Sequence, residues 1–174
     1  MDKRSAGVYI VMQKMGGFKI DELDDRVYFQ KVIYLLQLLG VNLGFRFSWY
    51  KLGPYSNDLA KTAYGIKESI NDYRNELDNV TVREDVIAKI NELKTLESAK
   101  PDDIERHKWF ELVSSIHYLK YISTTDPNNI TIQNITEQLK RAGKSDFADT
   151  HVRTAWNQLD RLGLIENKSL SRMI

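Results

Sequence analysis

The stretch Arg26-Val-Tyr-Phe-Gln-Lys-Val-Ile-Tyr-Leu-Leu-Gln-Leu-Leu-Gly40, followed by Phe45-Arg-Phe-Ser-Trp-Tyr-Lys-Leu-Gly-Pro-Tyr-Ser56, decides how the rest of the chain is read. Val27, Val32, Leu35, Leu36 and Leu39 form one helical face, with Ile33 and Leu38 on its flank. A helix with so little polar surface belongs in the centre of a domain. Its polar positions Arg26, Gln30, Tyr34 and Gln37 stack as one strip along a single side. Gly40 is its expected stop. Beyond it, Phe45, Phe47 and Trp49 alternate with Arg46, Ser48 and Tyr50. This period of two predicts a short extended arm with its aromatics turned inward. Gly53-Pro54 predicts a tight turn, and Ser56 an N-cap for the following helix.

Working outward, Val8, Val11, Met12 and Met15 mark a first helix over about Ser5 to Met15, ended by Gly16-Gly17. Asp21 to Asp25 is an acidic approach to the central helix, where the macrodipole favours carboxylates. After Ser56, Leu59, Ala63, Ile66, Ile70, Tyr73 and Leu77 make a steady helical stripe. Thr81-Val-Arg-Glu84 has the form of a capping box for a helix carrying Val86, Ile90, Leu93 and Leu96. Pro101 is the expected first residue of the next helix, a second apolar one through Trp109, Leu112, Val113, Ile116 and Leu119. Ser123 to Asn129 reads as a loop. Thr131 and Thr150 are expected to cap two last helices, ended by Gly143 and Gly163. The fold class is therefore mainly α: a compact multi-helix domain over 1–174 with one extended arm and a winged-helix-like C-terminal part. Any subdivision falls between 1–97 and 98–174.

The chain has 174 residues, 42% hydrophobic and 28% charged, with a net charge of +1. That composition supports a sizeable core but no global basic field for nucleic acid. With no cysteine, disulfides, thiolate metal sites and a cysteine nucleophile are excluded. The apolar run from Val32 to Phe45 is broken by Gln37, Gly40, Asn42 and Gly44, too short and polar to span a bilayer. A soluble, cytoplasmic protein is expected.

His107, His117 and His151 show no metal-binding spacing, and no phosphate-binding glycine loop or nucleophile elbow is present. No catalytic residue, cofactor or metal is expected. Two constellations remain. In the last helix Arg153, Asn157 and Arg161 recur every four residues, side chains suited to phosphates and base edges. The alternative is an ordinary polar surface face, which Asp146, Asp149 and Asp160 and the neutral overall charge favour. In the arm, Arg46, Tyr50 and Tyr55 together with Gln30, Tyr34 and Gln37 are candidates for a protein-binding surface. The alternative is that these groups hydrogen-bond inside the fold.

The central stretch resembles the Panacea, or SocA-like, antitoxin superfamily, and within it the phage-associated YwgA-type proteins. The resemblance rests on Gln30-Lys31, Tyr34, Gln37, Trp49-Tyr50 and Gly53-Pro54-Tyr55-Ser56 leading to Leu59. It extends to Leu112-Val113-Ser-Ser-Ile-His-Tyr-Leu119 and to Ala155-Trp156-Asn-Gln-Leu159 before Gly163-Leu164-Ile165. It implies a helical, non-enzymatic domain that binds protein, as an antitoxin neutralising a toxin or an adaptor delivering one to a protease. A DNA-binding regulator using residues 150–162 is the alternative.

Overall fold

The computed structural model describes residues 1–122, 126 and 130–165. Asp2 accepts from the backbone N–H groups of Arg4 and Ser5 and so caps α1 (Lys3–Lys14). Glu22 and Asp25 form a reciprocal capping box that opens α2 (Leu23–Leu38). Every residue of α2 from Val27 to Leu36 is buried, Gln30 and Lys31 included, as its lack of a polar face requires.

The arm is half of a hairpin. β1 (Ser48–Tyr50) pairs antiparallel with β2 (Gly53–Tyr55), Trp49 facing Pro54 and Tyr50 facing Gly53. The expected alternation holds: Phe45 is buried and Phe47 and Trp49 half-buried, while Arg46, Ser48 and Tyr50 are exposed. Gly53-Pro54 is not the turn itself. Lys51-Leu52 turns the chain, and Gly53-Pro54 begins the returning strand. A two-stranded ribbon tolerates Pro there because its outer edge needs no donor. Gly53 does hold a positive φ of 86°, which an L side chain resists. Ser56 then caps α3 (Asn57–Asp78), its hydroxyl accepting from Leu59 N–H.

Three sequence-predicted helix starts move. α4 is Glu84–Ser98 with Arg83 as its cap, so Thr81 stands outside it. Arg83 pairs with Asp85 instead, and Glu84 and Asp85 supply the first-turn charge. Pro101 to Ile104 form a turn, and α5 begins later, at Arg106–Tyr121. The Lys100 ammonium donates to the Pro101 and Ile104 carbonyls and holds that turn closed. Thr131 caps α6 (Ile132–Arg141) with a capping box through Asn134, as expected. The last helix, α7 (Asp149–Arg161), starts two residues early, capped by Ala148 rather than by Thr150.

α5 is buried from Trp109 through Lys120 and lies against α2, giving the fold its two internal helices. α1 packs on α3, and α6 and α7 pack on α5 and on each other. Val8 of α1 and Leu159 of α7 belong to the same hydrophobic cluster. The helical order α5-α6-α7 is present. Among the described residues no strand joins it, since the one sheet is β1-β2. The expected loop from Ser123 to Asn129 lies almost wholly outside the described residues. No described helix is long and apolar enough to cross a membrane.

Candidate functional site

The polar strip of α2 is satisfied inside the fold, two of its members by the segments that flank the hairpin. Gln30 is buried; its amide donates to the Ser56 carbonyl at 3.0 Å and accepts from the Ser56 N–H at 2.9 Å. Two turns along, the half-buried Gln37 does the same to Phe45, both bonds being 2.9 Å. These two side chains mimic a neighbouring strand and pin both ends of the arm to α2. Tyr34 is buried between them and shares a 2.8 Å hydrogen bond with His117 Nδ1 of α5. Burial pushes the Tyr34 phenol up and holds His117 down at about 4. A neutral imidazole therefore accepts from the tyrosine hydroxyl. Arg26, at the start of the strip, donates to the Ile20 and Asp21 carbonyls.

Gln30, Tyr34 and Gln37, expected as possible contact residues for a partner, are thus inward-facing groups that set the position of the hairpin. Of the remaining candidates, Arg46 and Tyr50 are exposed, and Tyr55 is half-buried with its ring 5.4 Å from that of Tyr50.

Lys31, next to Gln30, enters the sequence reading only as part of the Gln30-Lys31 resemblance and not as a site residue. It is 2% exposed, and its ammonium donates to the Pro54 carbonyl at 2.5 Å. Desolvation is the main cause that brings its pKa down to about 7, opposed by the Glu111 carboxylate and reinforced by the Lys144 charge. Glu111 of α5 and Lys144, which follows α6, are themselves buried and joined as an ion pair. Lys144 also donates to the Lys51 carbonyl at 3.2 Å, tying the hairpin turn to the C-terminal helices. Two lysines therefore share one internal carboxylate. The readable signal is a single Lys or carboxylate inside each buried run, Lys31 within Val27 to Leu36 and Glu111 within Trp109 to Leu119.

Beside Lys31 a pocket of about 250 Å³ opens between α2, the hairpin and α3. Its walls are mostly apolar, including Val27, Phe29, Leu52 and Ala63, and Gln30, Lys31 and Gly53 also line it. Leu23, Tyr50 and Tyr64, which also line it, are 57%, 63% and 49% exposed. Five large hydrophobic residues stand out in solvent among the described residues, so the gathering of three around one opening is not scatter. A more open depression is lined by Arg46, Tyr55 and Asp58.

On α7, Arg153 and Asn157 are exposed, but Arg161 is held by Glu92 of α4 at 2.8 Å and by Gln158. A guanidinium already paired with a carboxylate is a poor phosphate ligand. Elsewhere Asp24, Glu105 and His107 bring their ligand atoms within 4.8 Å of one another. His107 lies 3.4 Å from Asp24 and 3.7 Å from Glu105, so simple pairing accounts for this cluster.

Comparison with known proteins finds no matching family model, curated relative or solved structure.

Proposed function

We propose that this protein is a non-enzymatic interaction module that captures a protein partner at the pocket between α2, the hairpin and α3. The carrying observation is the opening itself: exposed Leu23, Tyr50 and Tyr64 around a small apolar cavity. Aromatic and aliphatic groups around a pocket suit an anchoring side chain of a partner. The hairpin that carries Tyr50 is held by Gln30, Gln37, Lys31 and Lys144, so little ordering remains to be done on binding. With the resemblance to the Panacea superfamily, this reading extends to an antitoxin-like neutraliser, or an adaptor for proteolysis, from a toxin–antitoxin or phage-related locus. The contact surface is thereby moved from the buried strip to Leu23, Tyr50 and Tyr64, with Arg46 and Tyr55 beside them.

The test uses the product of the adjacent reading frame, expressed in a bacterial host with and without this protein. Growth arrest by that product, relieved by the wild-type protein, is the expected result. Leu23→Ser and Tyr50→Ala should remove the relief while leaving the melting temperature unchanged. Relief that is indifferent to both substitutions would place the contact elsewhere. A product that is neither toxic nor bound would end the antitoxin reading.

A further inference from the structure

Lys31 lines the apolar pocket, and the fold leaves its amine short of partners. A lysine ammonium has three donors and no acceptor. Lys31 makes one hydrogen bond, to Pro54, and no carboxylate lies within ion-pair distance of it among the described residues. The nearest anion, Glu111, is already engaged by Lys144, with Lys108 at 3.8 Å from its second oxygen. Arg26, five residues before Lys31, lines the same pocket while donating to the Ile20 and Asp21 carbonyls. Two buried lysines, Lys31 and Lys144, thus stand beside one buried carboxylate, an arrangement that an added anion would balance.

We propose that the pocket binds an apolar carboxylate, its alkyl or aryl body in the cavity and its carboxylate at the Lys31 ammonium. The inference rests on the same pocket as the function proposed above and names the chemistry of what enters it. Two sources supply that chemistry: a free aliphatic or aromatic acid, and the C-terminal residue of a partner chain when its side chain is apolar. In either case the anion takes up donors of Lys31 that Pro54 leaves unused, and the cavity walls take the hydrocarbon.

Binding of this kind is linked to the protonation of Lys31. The groups facing it are Glu111 on α5, Lys144 after α6 with Lys108 beyond, Arg26 on its own helix, and the rings of Tyr50, Tyr55 and Tyr64 around the pocket. With the empty-site amine titrating near 7, the ammonium form is in place below that pH. Above it, affinity for a carboxylate falls by up to about tenfold per pH unit.

The test is calorimetry of the whole protein with octanoate, octanamide, and two apolar peptides ending in Leu, one with a free carboxylate and one amidated. The expected result is saturable binding of octanoate or of the free-carboxylate peptide. Their uncharged counterparts should bind at least tenfold more weakly, and affinity should be lost between pH 6.5 and 8.5. Binding of octanoate alone identifies a small acid as the source and counts against the protein-anchor reading. Tighter binding of the free-carboxylate peptide identifies a chain terminus. Lys31→Met should abolish the preference for the charged ligand. Ala60→Phe, at a half-buried position in the pocket wall, should block entry while keeping the charge. Equal binding of charged and uncharged ligands, retention of the preference in Lys31→Met, or no saturable binding at pH 6.5 would each overturn the proposal.

Discussion

The Gln30 amide and the Ser56 peptide face each other as a closed pair, one bond running each way at 2.9 and 3.0 Å. Ser56 is both the last residue of the arm and the cap of α3. Replacing Gln30 by Leu leaves the buried Ser56 N–H without a partner, while the Ser56 carbonyl keeps only its bond from Ala60 N–H. A loss of roughly 1–3 kcal/mol is expected, the cost of one buried donor left unpaired. Gln37→Leu should cost less, because Gln37 is only half-buried and water can reach the freed groups. Urea denaturation of both variants checks the order. A Gln30 variant within 0.5 kcal/mol of wild type would mean that the pair does not hold the arm.

The second expectation concerns Gly53 and Ser115. A Cβ on Gly53 would stand 2.5 Å from the Ser115 hydroxyl, and φ is already positive. Gly53→Ala should therefore lose at least ~1–3 kcal/mol from backbone conformation, with the clash added. The Ser115 hydroxyl is buried and has no hydrogen-bond partner, so Ser115→Ala alone should be near neutral. Combined with Gly53→Ala it should recover the clash but not the backbone share. A double-mutant cycle measures this, and strict additivity would show that the two sites do not touch.

The sequence made the centre of this fold plain. The apolar runs of α2 and α5 have no face to spare for solvent, and both proved internal. The alternation through Phe45, Phe47 and Trp49 also gave the right inward set. What it could not show was the destination of the polar strip. Gln30 and Gln37 look alike whether they reach a partner or their own chain, and only the return of the hairpin decides between them. The helix starts at Glu84 and Arg106 were missed for a related reason. Thr81 and Pro101 carry suitable local chemistry, but Arg83–Asp85 pairing and the Lys100 bridge to two carbonyls set the boundaries. Lys31 and the pocket depend on tertiary placement of three separate segments, and no local pattern encodes that.

Glu111 gives the third expectation. Glu111→Gln leaves Lys144 buried and its charge unpaired, and it also removes the anion that favours protonated Lys31. Breaking a buried pair from one side costs ~3–5 kcal/mol. Glu111→Leu with Lys144→Met should restore much of that, because neither charge then remains inside. Thermal and urea unfolding read both. A double variant no better than the single one would show that the pair does more than balance charge.

The fourth concerns acid. His117 is held neutral by burial, with a folded pKa of about 4 against the ordinary 6.5. The unfolded chain binds that proton first, so its share of stability is full above pH 6.5 and declines as pH falls toward 4. The total is on the order of 3 kcal/mol, at 1.36 kcal/mol per unit. His117→Phe should flatten the profile over that window, at the cost of the Tyr34 hydrogen bond. An unchanged slope between pH 6.5 and 4 in the variant would assign acid sensitivity to other groups.

The contact of α2 with α5 also has a consequence for how the chain is made. Tyr34 and His117, which join the two helices, are 83 residues apart in sequence. At ~5–20 residues per second, a ribosome needs roughly 4–17 s to deliver that separation. Throughout that interval α2 has been synthesised and the helix that makes its most extensive contact has not. Truncations ending before Arg106 should therefore accumulate as aggregates rather than as a smaller folded domain.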